Sequence, residues 1–378
     1  MNQNSQRLLQ LGVVAFVVIV FGTIFHWTIN RVYVPAGHSL KLTYKGPLFF
    51  GSAKSPPPTR LARYEEGEVG VQERLLGPGR HFYCPIWWKT EVVKDYVVEP
   101  VVPRAGKIEH VVCQVGIATS KIGDITGDTS NVVIDGDLGE TNSRGILRKT
   151  FGPGRYRINP FAYDFKVVDV VTDDRSGQRK FGGWVDIPTG YCGVVTNLTN
   201  IPAKGANEPA QLAGVQSNVL QPGLYPINPH EQAIDIIEIG YREKSVTVSK
   251  KVDREGNVVI DDAGEPIVAE KTTGINFPSN DGFPIHMDFT AIWGILPEQA
   301  ANLVEIYGSV AKAEERLVLP QIESICRERG STKGAVELLV GDTRQQFQDD
   351  VSKMFHEIME KNNVTLLYGL VRHIYIPT

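Results

Sequence analysis

The stretch VLQPGLYPINPHEQ, residues 219–232, has two earlier counterparts in the chain: LLGPGRHFYCPIWW at 75–88 and TFGPGRYRINPFAY at 150–163. Each runs from apolar residues through Pro-Gly to an aromatic residue and a further proline. An alternating strand such as Asp164 to Val171 or Ala233 to Ile239 then follows. Proline presets the turn and glycine supplies a positive φ, so the chain can reverse between two strands at Pro78, Pro153 and Pro222. Upstream of two copies, EEGEVGVQERLL (65–76) and IPTGYCGVVTNL (187–198) read as a strand with a turn. Strand, Pro-Gly turn, aromatic, strand is a β unit of about 70 residues, near small-domain size and unlike a solenoid repeat. The alternative is chance recurrence of Pro-Gly in a chain with 37 Gly and 23 Pro.

Two polar stretches interrupt the units, Gly123 to Glu140 and Ser249 to Lys271, and both read as hairpin or loop excursions. Composition shifts after Pro284. The strand IHMDFTAIWGI leads into Pro297, a favourable first helical residue, with Ala300, Leu303, Val304 and Tyr307 on one face. Val310 to Glu328 carries a broad apolar stripe through Ala313, Leu317, Ile322 and Ile325, and Pro320 is expected to kink it. A further helix is expected from Asp342, whose carboxylate could cap it with Gln345 three residues on. Phe347, Val351, Met354, Phe355 and Ile358 mark one face of that helix. A strand from Thr365 to Ile376 closes this α/β region.

At the other end, Leu8 to Ile29 carries no charged residue, and Leu8, Leu11, Val14, Phe16, Val18, Phe21, Phe25, Trp27 and Ile29 make it apolar throughout. At about 1.5 Å per residue it spans a hydrocarbon core roughly 30 Å thick, with Trp27 at the far boundary. It is read as a single transmembrane anchor. The competing reading, a cleaved signal peptide, has a shorter apolar core and a small-x-small cleavage site, which does not follow closely here. Arg7 precedes the helix while Arg31, Lys41 and Lys45 follow it, a slight bias toward a cytoplasmic soluble region. Pro56, Pro57 and Pro58 mark residues 31–60 as a Pro-rich juxtamembrane linker. The Trp87-Trp88 pair is read mainly as packing under the first β unit and secondarily as a contact with lipid headgroups.

Lys plus Arg number 39 and Asp plus Glu 43, a formal net charge of −4 that gives no basic field for nucleic acid. Cys84, Cys113, Cys192 and Cys326 are too scattered for a CxxC pair or a disulfide framework. The eight histidines include no HxH or HxxxH pair, and His356-Glu357 lacks a zincin's second histidine. Asp124, Asp128, Asp135, Asp137 and Glu140 could be a calcium loop, but Gly139 and Glu140 break the EF-hand pattern, which favours a solvated loop. No GxSxG, GxGxxG or GxxxxGK[ST] motif is present. The expectation is a non-enzyme with no catalytic residue, metal site or cofactor.

Val185 to Pro229 (VDIPTGYCGVVTN through LQPGLYPINP) and Phe277 to Glu298 (FPSNDGFPIHMDFTAIWGILPE) resemble the stomatin/prohibitin/flotillin superfamily, the SPFH or Band 7 domain. The resemblance rests on an ordered series: the apolar anchor, Pro188 to Gly190 opening a strand, and the Leu220 to Tyr225 turn. Then come the Ser279-Asn280-Asp281-Gly282 turn, the helices, and a closing strand over Val371 to Ile376. It covers Val185 to Thr378. It implies an α+β fold in which the transmembrane helix (1–30) and linker (31–60) precede an extra β-rich module of two repeat units (61–180). An SPFH-like β subdomain (181–275) and an SPFH-like α/β subdomain (276–378) follow.

The resemblance further implies a lipid bilayer as partner and self-association into large rings or cages that organise membrane regions or regulate membrane proteins such as proteases. Two departures stand out: the extra module, and the absence after Thr378 of the long helical segment usual in relatives. The Phe347 to Ile358 stripe is the candidate oligomer interface, although such a stripe reads first as core. A membrane-tethered binding module of low oligomeric state and a tethered hydrolase are the competing functions.

Overall fold

A computed structural model describes residues 3–47, 51–100, 114–123, 133–139, 143–173, 178–201, 210–253, 255–260, 264, 266–269 and 274–376, with side chains from residue 10. An α-helix, Gln3–Thr28, leads into three β units with one wiring. In the first, Arg31–Val34 pairs antiparallel with Gly79–Phe82, and His38–Tyr44 with Trp88–Lys94. In the second, Tyr96–Val98 pairs with Gly154–Tyr156, and Val115–Ser120 with Tyr163–Val168. In the third, Trp184–Ile187 pairs with Gly223–Pro226, and Tyr191–Asn197 with Gln232–Glu238. The Pro-Gly step opens the third of these four paired strands each time, and Gly79, Gly154 and Gly223 take φ of 141°, 158° and 157°, a region almost confined to glycine.

The first unit begins earlier than its Pro-Gly step suggests. Residues 31–44, expected within a linker, are its first two strands, and the counterpart of IPTGYCGVVTN is VPAGHSLKLTY (34–44) rather than EEGEVGVQERLL. The two turns match: His38 N–H donates to Pro35 O at 3.2 Å, and Tyr191 N–H to Pro188 O at 3.1 Å.

A second recurrence joins the units. The buried Asn159 donates from Nδ2 to Gln72 O of the first unit at 2.9 Å, and the buried Asn228 donates to Leu147 O of the second at 3.1 Å. Each also accepts, through Oδ1, the N–H two residues on, from Phe161 and His230. The same INP tripeptide thus makes a turn in its own unit and a clasp to the one before. Cys84 holds this position in the first unit, which is preceded by the helix instead. Replacing Asn228 by Ala leaves buried backbone groups unpaired, and a loss of about 1–3 kcal/mol is expected. Denaturant unfolding checks this, with Asn228→Asp keeping the turn but losing the clasp.

Of the two polar excursions, 133–139 contributes the strand Val133–Ile134, parallel to Gly145–Leu147, while 124–132 and 140 lie outside the described residues. The second makes short bridges, Lys250 with Val268 and Val252 with Val258.

The α/β region is built on Pro284–Ile295, paired along one side with Ile275–Pro278 and Gly240–Val246 and along the other with Thr365–Tyr375. Met287, Phe289, Ala291, Trp293 and Ile295 are fully buried and belong to one core with the helices. On the opposite face the buried Asp288 accepts from Val248 N–H and from the Tyr375 hydroxyl. Helix Pro297–Tyr307 begins at its proline, and the Gln299 side chain accepts the Leu296 N–H at 3.0 Å. It packs against Gly214–Leu220, so the third unit and the α/β region share that core.

Pro320 has no N–H to offer the Arg316 carbonyl, and the helix widens just before it into a π turn, Glu314–Val318, before continuing over Leu319–Gly330. Asp342 is not the cap expected of it. Gly341, at φ 74°, holds the N-cap position of Asp342–Lys361, and no side chain caps that end.

Candidate membrane interface

The helix segment Gln10–Thr28 is long and apolar enough to cross a membrane, and apart from its docked end the described residues leave it uncovered. Leu11, Val14, Phe16, Val18, Phe21, Trp27 and Ile29 are exposed, whereas Phe25 is half-buried; Leu8 lies on the helix ahead of the described side chains. Ile29 falls one residue past the helix end and its N–H donates to Phe25 O. Uncovered apolar area on this scale is unfavourable in water and favourable in hydrocarbon.

The helix end is docked to the first β unit. His26 stacks on Phe82 with centroids 4.5 Å apart, Trp27 meets the same ring edge-on at 5.8 Å, and the Arg31 guanidinium lies 5.7 Å over Trp27. Tyr83 N–H donates to Asn30 O at 2.8 Å. Because Phe82 is the register partner of Arg31 and Trp88 that of Tyr44, the loop 83–87 sits at the end of the unit nearest the helix. There the two tryptophans part: Trp88 packs against the first unit's core, while Trp87, 41% exposed, and Ile86, 51% exposed, face outward. With Phe82, Trp27 and Tyr33 they form an exposed apolar and aromatic rim around the helix end, the composition of a membrane–water boundary. Phe82, Ile86 and Tyr33 were not singled out in the sequence. Their signal was the Pro-Gly register, which sets Phe82 opposite the first residues after the helix.

The expected oligomer stripe is placed differently. Phe347, Val351 and Phe355 are buried in this chain's own core, and Met354 and Ile358 pack partly buried against it. The face that could have met another copy is covered by the strand Thr365–Tyr375 and helix Leu319–Gly330. The stripe is therefore core, and it is withdrawn as an interface.

Cys192 and Cys326 are buried, and burial pushes their thiols up, Cys192 to about 11, which keeps them protonated at neutral pH. Cys113 lies outside the described residues. Asp135 and Asp137 are paired with Arg148 and Lys149, at 2.7 and 2.5 Å, while Asp124, Asp128 and Glu140 lie outside them. Among the described residues, no three His, Cys, Asp or Glu side chains are gathered as a metal would need.

A candidate membrane span ending on an aromatic-rimmed β unit, with an α+β region beyond, makes this a chain of mixed fold with an N-terminal apolar helix. A family model described as SPFH domain / Band 7 family matches residues 185–378, just over half of the chain. The chain belongs to this family. The matched part starts within the strand Trp184–Ile187 and takes in the third β unit and the α/β region; the first two units precede it. Comparison with curated proteins gave no match.

Proposed function

We propose that this chain is a single-pass membrane scaffold that assembles with copies of itself into large rings or cages, organising membrane regions or regulating membrane proteins such as proteases. The observation that carries this reading is the SPFH/Band 7 match over the third unit and α/β region, in a chain whose one described candidate span is largely exposed. Members of the family are generally non-enzymatic scaffolds, so the chemistry proposed is recognition and not catalysis. The soluble part, from residue 31 onward, is assigned to the cytoplasmic side on the slight excess of cations after the helix.

With the Phe347 stripe withdrawn, the contacts between copies are assigned to apolar residues left exposed in the α/β region. Val336, Leu339 and Val340 lie around the short helix Ala335–Leu339, and Tyr241, Leu367 and Tyr368 lie on the two edge strands. Both edges, Gly240–Val246 and Thr365–Tyr375, pair on one side only among the described strands, and such edges accept further backbone partners.

Light scattering on the detergent-extracted chain, with negative-stain images of the same peak, tests this. Ring-shaped particles of many subunits are expected. A monomer or dimer would overturn the scaffold reading and leave a tethered binding module.

A further inference from the structure

We infer that the first β unit holds the headgroup of a zwitterionic phospholipid, an ammonium joined to a phosphodiester, in an aromatic pocket beside the membrane anchor. The inference rests on the proposed attachment to the bilayer. A cavity of about 420 Å³ opens on this unit, walled by Tyr64, Tyr83 and Trp88, a size suited to a small ligand. The Tyr64 and Tyr83 rings lie 5.4 and 5.3 Å from that of Trp88. Leu42 and Leu76 supply aliphatic wall.

Aromatic faces carry negative charge density and attract an ammonium, a quaternary one above all, since it sheds its water readily. Four charged residues also line the cavity. Arg63 is taken by Glu73, at 2.9 Å. That leaves Glu65 and Arg74, both exposed and with no hydrogen bond or ion pair to any described residue. One charge of each sign beside three aromatic rings matches a zwitterion: rings and Glu65 for the ammonium, Arg74 for the phosphate. A simple cation would leave Arg74 facing it, and a simple anion would meet Glu65 and the ring faces. Burial raises the pKa of the Tyr83 hydroxyl, so the ring stays neutral.

Location favours a bilayer lipid as the source. Tyr83 and Trp88 bracket the loop that carries the outward Ile86 and Trp87, and the Tyr83 backbone is bonded to Asn30 just past the helix. The pocket therefore sits at the end of the unit where headgroups would lie.

The test uses the full chain in a maltoside detergent. Calorimetric titration with dihexanoyl phosphatidylcholine below its micelle concentration is expected to show saturable binding. Dihexanoyl phosphatidylglycerol is expected to bind at least about tenfold more weakly. Tyr64→Ala and Arg74→Glu, both at exposed positions, should each weaken the phosphatidylcholine affinity about tenfold with an unchanged circular dichroism spectrum. No binding, equal binding of the two lipids, or binding untouched by both variants would overturn the inference. Glycerophosphocholine binding as tightly as the lipid would overturn its lipid source and leave a soluble zwitterion as the ligand. Liposome flotation of the same chain separates the two readings: a chain that floats yet binds no phosphatidylcholine removes the pocket alone, and one that binds yet does not float removes the bilayer attachment.

Discussion

Phe355→Ala is expected to lower the unfolding free energy by about 3–5 kcal/mol, the cost of a cavity in a core that cannot collapse around it. Phe355 is fully buried, and its ring meets that of Phe289 edge-on with centroids 6.1 Å apart. Phe289 in turn lies on the central strand of the α/β sheet, paired on both sides. The helix carrying Phe355 is held by Phe347, Val351 and Met359 in the same core, so it cannot slide inward to fill the space without displacing them. Denaturant unfolding of the detergent-solubilised chain measures this. A seam between copies would respond otherwise, with particle mass falling while the subunit kept its stability. Val340→Glu, at a position 68% exposed, should give that second pattern.

Asp235→Ala should be nearly as damaging, at about 3 kcal/mol, because it removes one member of a buried ion pair and leaves the other. Asp235 is wholly buried and accepts from Arg179 Nη2 at 2.8 Å and from Arg179 Nε at 3.1 Å. The two residues are register partners on neighbouring strands, so the guanidinium fork and carboxylate are presented to each other by the backbone itself. The hydrogen bond with Asp235 is the main cause that raises the Arg179 pKa, and its loss removes that support, but a guanidinium ordinarily titrates far above neutral and so remains charged once Asp235 is gone. Its side chain is 28% exposed, and partial rehydration keeps the loss at the lower end of the range for a broken buried pair. The double variant Arg179→Ala with Asp235→Ala should cost less than the two single losses combined. Thermal or denaturant midpoints of the four proteins measure the coupling, and strict additivity would show that the pair contributes nothing as a pair.

Much of the fold was legible from a few residue types. The Pro-Gly steps marked all three β units, Pro297 marked a helix start, and the spacing of Ala300, Leu303 and Val304 gave its buried face. The first two strands were not legible, for a physical reason. The strand His38–Tyr44 has Lys41 paired across to Glu91 at 2.7 Å, so its charge resembles that of a spacer while its alternate residues Leu40 and Leu42 are core. The clue lay in Pro35-Ala36-Gly37, which matches Pro188-Thr189-Gly190 in conformation as well as spelling. The Phe347 stripe shows the opposite limit. Periodicity reports that a helix face is apolar, but whether a sheet of the same chain or another copy covers it depends on tertiary contacts. Trp87 and Trp88 are neighbours of one type, separated into rim and core because Trp87 ends the loop and Trp88 opens the strand.

The wiring of the β units also sets an order in time. Every named pairing of the first unit closes between Arg31 and Lys94, and every one of the second between Tyr96 and Val168. Each can be completed as soon as its own stretch of chain has left the ribosome, because loops this short carry little closure entropy. The α/β sheet cannot. Its central strand, Pro284–Ile295, waits for Thr365–Tyr375, about 70 residues further along the chain. During translation the membrane-proximal column can stand complete while Met287, Phe289 and Trp293 still lack their final cover, which makes the α/β region the part of the nascent chain most in need of protection.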